Sequence, residues 1–157
     1  MKDKQALEKR RGVYLVVVDS TEELSVAIDY AANFSNAEGG YIALLNVMED
    51  VGISNFKDIE DRIRAEQRAQ SEQMLWDAAG RVIEKTGRTP MTIIEQGDCS
   101  AIIVDMIENH KNIVALVLAS NASSSSPGTL VSYFSGKGLS RLPVPLLIVP
   151  GHLEAQS

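Results

Sequence analysis

Five short apolar runs set the terms for any fold of this chain: Val13–Val18 (VYLVVV), Tyr41–Val47 (YIALLNV), Met91–Glu95 (MTIIE), Val114–Leu118 (VALVL) and Val144–Val149 (VPLLIV). Each is rich in β-branched residues and nearly continuous in hydrophobicity. A strand with one wet face alternates apolar and polar side chains, whereas a strand covered on both faces does not. The runs therefore predict strands of a parallel sheet lying between helices.

Helical patterns separate the runs. Leu24, Ala27, Ile28, Ala31 and Phe34 form a stripe of period 3.6, opened by Ser20 and Glu23 at capping-box spacing. A second helix is predicted from about Lys57 to Thr86, stopped by Gly87. Its apolar stripe is clear only in the second half, at Leu75, Ala78, Ala79, Val82 and Ile83; the polar first half should project past the sheet or meet a partner. Trp76 reads as helix packing. A third helix follows Asp98 as N-cap, with Ile102, Ile103, Met106 and Ile107 inward. A fourth is predicted over Leu130–Leu142, with Leu130, Val131, Phe134 and Leu142 inward. The order β-α-β-α-β-α-β-α-β predicts an α/β fold: a single doubly wound, five-stranded parallel sheet with helices on both faces.

The 157 residues suit one domain, taken as 12–151 between polar tails at 1–11 and 152–157. A net charge of −6 argues against nucleic-acid and membrane-surface partners. No apolar run reaches membrane length. The single cysteine, Cys99, excludes an internal disulfide and a cysteine-rich zinc site, which agrees with a reducing, cytoplasmic setting.

In doubly wound sheets ligands sit outside the carboxyl ends of the strands, at the switch point of strand order. That directs attention to Asp19–Glu22, Met48–Phe56, Gln96–Ser100 and Ala119–Thr129. Asp19 ends the first strand in VVVDS, either as a crevice carboxylate or as a turn or cap residue. Ser120–Gly128 (SNASSSSPG) could bring backbone amides to an anion or form a plain surface loop; it is neither a Walker A loop nor a GxGxxG turn. Ser123–Ser126 are candidate phosphorylation sites. Cys99, at a helix start, is either an activated thiol opposed by Asp98 or a small packing residue. His110 and His152 lack metal-ligand spacing and read as surface residues, as Asp29, Asp61 and Asp105 read as solvated helix faces. No Ser–His–Asp or Cys–His arrangement is visible, and a receiver domain is rejected because the third strand ends in Glu95 and Gln96 and the last runs into Pro150.

VVVDS (Val16–Ser20), the Ala27–Ala31 spacing, LLNV (Leu44–Val47), IIEQGD (Ile93–Asp98) and LPVPLLIVP (Leu142–Pro150) together carry a resemblance over about Arg11 to Pro150. In these motifs the chain resembles the universal stress proteins. ATP-binding members carry Gly-x2-Gly-x9-Gly-Ser/Thr after the fourth strand. Here the spacing falls on Ala119, Ala122, Ser132 and Tyr133, so the phosphate half of the motif is degraded. Asp19 matches the ribose-contacting carboxylate, and Val17 and Val47 match the adenine pocket.

The resemblance implies a stress-response regulatory module, not an enzyme, with no required cofactor and ATP or AMP as its nucleotide candidates. It also implies a homodimer through Val144–Val149 and an unidentified protein partner. The alternative is an ATP/AMP switch in which the serine loop replaces the glycines. An enzyme of the wider adenine-nucleotide α/β group is disfavoured, since HxGH and SGGxDS elements are missing.

Overall fold

The computed structural model describes residues 12–50, 56–120 and 128–153. Five strands, β1 (Val13–Val17), β2 (Tyr41–Met48), β3 (Met91–Gln96), β4 (Ile113–Ser120) and β5 (Leu146–Pro150), alternate with helices α1 (Leu24–Glu38), α2 (Lys57–Thr86), α3 (Cys99–Asn109) and α4 (Thr129–Ser135). A 3-10 turn, Leu139–Arg141, follows α4. The sheet order is β3-β2-β1-β4-β5, parallel throughout. The switch point therefore lies between β1 and β4.

Continuous hydrophobicity in the strands has the predicted cause. Along β1, Val13, Leu15 and Val17 enter one core with Ile103, Ile107 and Phe134, while Tyr14, Val16 and Val18 enter a second with Ala27, Leu75 and Val82. Strand side chains alternate in direction, so two covered faces require every residue to be apolar. Opposite Val13, β4 skips a residue: Val13 pairs with Ile113 and Tyr14 with Ala115. Val114, left out of register, is 38% exposed despite its run.

The 30-residue α2 is about 45 Å long at 1.5 Å per residue, far longer than a five- to eight-residue strand. Its buried residues, Ser71, Leu75, Ala78 and Val82, begin only at its midpoint, so the polar first half lies largely outside the packed core. Gly87 ends it in the left-handed region at φ 70°. Asp98 caps α3 by accepting from the Ala101 amide.

Several expectations are corrected. Ser20 and Glu23 make no capping box: α1 starts at Leu24, and Glu23 has helical dihedrals with no side-chain cap. Phe34 is 43% exposed, stacked on Tyr14 at a ring-centroid distance of 6.5 Å. Trp76 does not pack; it is 77% exposed on the outer face of α2, beside a half-exposed Ile83. The fourth helix stops at Ser135, because Gly136 adopts φ −111°, ψ −123°, outside the helical region. The last strand begins at Leu146 instead of Val144, since Pro143 and Pro145 lack the N–H a ladder needs.

Asp29 is also not solvated. It is buried and paired with Arg81 of α2, Nε to Oδ1 at 2.7 Å and Nη2 to Oδ2 at 2.6 Å, while Arg81 Nε also donates to Ser25 O. This fork ties α1 to α2. The Asp29 carboxylate, first through its hydrogen bond, raises the pKa of Arg81. His110 is half-buried, with Nδ1 enclosed and without a hydrogen-bond partner among the described residues, so it is not an ordinary surface histidine. Asp61 and Asp105 are exposed as predicted.

Candidate functional site

At the switch point, the carboxyl ends of β1 and β2, the start of α3 and the helix α4 enclose a cavity of about 570 Å³. That volume lies in the range of small-molecule sites. Its apolar wall comes from Val17, Val18 and Val47 on the strands and from Leu130 and Tyr133 on α4. Its polar rim comes from the loops that follow β1, β2 and β3. A smaller space of about 160 Å³ adjoins it and shares Val17, Asp19, Thr129 and Leu130.

Asp19 stands half-buried where β1 ends, and its Oδ1 accepts from the Thr21 amide at 3.0 Å and from the Thr21 hydroxyl. The carboxylate thus lines the crevice and organises the turn into α1. Beside it the Asn46 side chain, buried within β2, donates from Nδ2 to Val18 O at 2.8 Å, bracing the ends of β1 and β2. Gly97 donates its amide to Met48 O at 3.0 Å and so holds the β3 end against β2.

Tyr133 is set by its neighbours. Its ring meets Phe134 edge to face at 5.0 Å, and its phenol accepts from Arg141 Nη1 at 3.4 Å. The ring lies over Gly138, where a Cβ would fall 2.2 Å from a ring carbon. Gly128, at φ 103° and ψ 155°, starts α4 in a conformation that side chains all but forbid.

Of the sequence-predicted site residues, the structure brings Val17, Asp19, Val47 and Tyr133 into one cavity. Ala119 lines the smaller space beside it. Ser132 does not join them: it is exposed on α4 and lines neither space. Ala122 and Ser123–Ser126 lie outside the described residues. Asn46 lines the site without having been singled out, although it left a signal as the lone amide inside an apolar strand; Thr129, the end of one inspected loop, and Leu130, read only as a core residue, line it too. Cys99 is in the cavity wall as a packing residue, not an activated thiol. Burial first, then the charges of Asp98, Glu49 and Asp19, push it up from its ordinary 9.0 to about 11. A wider groove of about 720 Å³ runs between α1 and α2, but its Arg81 is already held by Asp29.

Residues 13–150 match the model of the Universal stress protein family. The chain belongs to this family. Among solved structures similar to this universal stress protein is UspA from Lactobacillus plantarum, 20% identical over 89% of this chain and 98% of that one, with a TM-score of 0.74. A universal stress protein in complex with cAMP is 16% identical over 92% and 97%, with a TM-score of 0.63. One from Archaeoglobus fulgidus in complex with dAMP is 12% identical over 88% and 97%, with a TM-score of 0.57. No curated protein sequence matches. Among the described residues no helix is long and apolar enough to cross a membrane, and no three His, Cys, Asp or Glu are placed to hold a metal ion.

Proposed function

We propose that this universal stress protein is a regulatory module that binds an adenine-nucleoside type of ligand in the switch-point crevice, holds ATP weakly or not at all, and acts as a homodimer instead of turning over a substrate. The observation that carries the reading is the meeting of Val17, Asp19, Val47 and Tyr133 around one cavity. The first three are the adenine- and ribose-facing positions that the resemblance marks, and two similar structures hold cAMP and dAMP. Against tight ATP binding, Tyr133 stands where the family pattern has Ser or Thr, and its ring takes up room at the crevice.

The dimer reading is supported by the outer edge of β5. Leu146, Leu147 and Ile148 remain half-exposed although they belong to a strand, and β5 has a sheet neighbour on one side only among the described residues. Calorimetric titration with ATP, ADP and AMP, with and without Mg²⁺, tests the ligand reading on protein freed of bound nucleotide. Weak AMP binding without measurable ATP binding is expected; micromolar ATP binding would mean that the loop after β4 still serves as a phosphate loop.

A further inference from the structure

The rim of the crevice is negative. Of its lining residues Asp19, Glu49, Asp50 and Asp98 are carboxylates, and none is Lys or Arg. The carboxylates come from three loops, each at the end of a different strand, so parallel topology gathers them. Their fields overlap inside the cavity, because Asp98, Glu49 and Asp19 all act on the Cys99 thiol in its wall. The Arg141 guanidinium stands behind the Tyr133 phenol and does not line the space.

Resting on the nucleoside reading above, we propose that this crevice selects ligands without a phosphate, and prefers those that carry a positive charge in its place. A phosphate entering here meets several like charges at the rim, three of them solvent-exposed, and an ammonium meets the same charges as partners. Like-charge contacts of this kind cost about tenfold or more in affinity.

The test is calorimetry on the whole chain with four probes: adenosine, 5′-amino-5′-deoxyadenosine, AMP and ATP with Mg²⁺. The amine should bind tightest, adenosine next, AMP at least about tenfold weaker than adenosine and ATP no better than AMP. Raising the salt should narrow the gap between adenosine and AMP. AMP or ATP binding as tightly as adenosine overturns the proposal and leaves the nucleoside reading standing. An amine no tighter than adenosine overturns the charge preference. Silence from all four overturns the proposal and the reading beneath it. The double variant Glu49→Gln with Asp98→Asn should shift the AMP-to-adenosine affinity ratio toward AMP by about threefold or more. Both positions are exposed, and Asn still caps a helix, so circular dichroism should report an intact fold. An unchanged ratio in that variant refutes the electrostatic account.

Discussion

Replacing Gly138 by alanine isolates what seats Tyr133 at the crevice. The backbone at Gly138 has φ −78° and ψ −14°, where alanine is at home. On backbone grounds alone, Gly138→Ala should stabilise the protein by about 0.4–1 kcal/mol, by narrowing the unfolded ensemble. The side chain decides the sign otherwise. The new Cβ would lie 2.2, 2.4 and 2.8 Å from three carbons of the Tyr133 ring, so the ring must leave. Leaving forfeits the edge-to-face contact with Phe134, worth about 0.5–1.5 kcal/mol, and a long, exposed hydrogen bond from Arg141 worth less. Repacking around a forced side chain costs about 1–3 kcal/mol in general. A net loss of about 2 kcal/mol follows, or about 4–8 °C in Tm for a domain of this size.

The assay is a double-mutant cycle by urea or thermal denaturation. In a Tyr133→Ala background the obstacle is gone, and Gly138→Ala should then be neutral or slightly stabilising. If Gly138→Ala costs the same with and without the tyrosine ring, the ring contact is not the cause and the account of Tyr133 is wrong.

Arg81→Ala should destabilise by about 1–3 kcal/mol, discounted from the value for a fully buried pair because the Arg81 side chain is 39% exposed; Asp29→Ala in the same protein should add little, and additive losses in denaturation would show that the two do not act as a pair. With its thiol near 11, Cys99 should be almost entirely protonated at pH 8, roughly one in a thousand as thiolate, and alkylation by iodoacetamide should rise about tenfold per pH unit up to pH 10. A rate that levels off below pH 9 would instead mark an activated thiol. Hydrogen bonds from the Ala101 amide and then the Ser100 hydroxyl depress the Asp98 pKa below its ordinary 3.8. Its contribution to stability is present above that value and is lost as pH falls through the lower, folded-state value, so Asp98→Asn should flatten the acid limb of a stability-versus-pH curve. If the proposed homodimer forms through the β5 edge, Ile148→Pro should yield monomers with an intact circular dichroism spectrum. The bonds Leu116 N–H to Pro145 O and Gly151 N–H to Ser120 O turn the odd-numbered β5 residues toward β4, so the Ile148 N–H faces the free edge. Unchanged dimers in sedimentation would locate the interface elsewhere.

Strands and their order of alternation were legible because burial on both faces leaves a local trace, a run with no polar gap. Helix ends were legible where a single residue governs them, as at Gly87 and Asp98. What escaped depends on partners far away in sequence or on geometry between neighbours. Asp29 looked solvated because its partner, Arg81, is 52 residues on. Trp76 looked like core because size and hydrophobicity suggest it, yet its position on α2 points away from both cores. The fourth helix looked longer because Leu142 was read as continuing an apolar spacing that the backbone at Gly136 has already broken.

The site divides the same way. Asp19 was singled out because a strand end is a fixed place in this topology, and Val17 and Val47 through the resemblance; all three line the crevice. Spacing arithmetic then assigned both Ser132 and Tyr133 to the crevice. Adjacent residues on a helix differ by about 100° in direction, and of these two Tyr133 turns to the crevice while Ser132 is exposed to solvent. The charge of the crevice is a further step removed. Asp19, Glu49, Asp50 and Asp98 are 4 of 21 acidic residues, separated by up to 79 positions, and nothing in their local sequence marks them as neighbours. Each follows a strand that runs in the same direction, and parallel strands deliver their following loops to one end of the sheet. A net charge of −6 could have been spread evenly over the surface. The fold concentrates part of it where a ligand would enter, so the chemistry of the crevice follows from topology applied to residues that are individually ordinary.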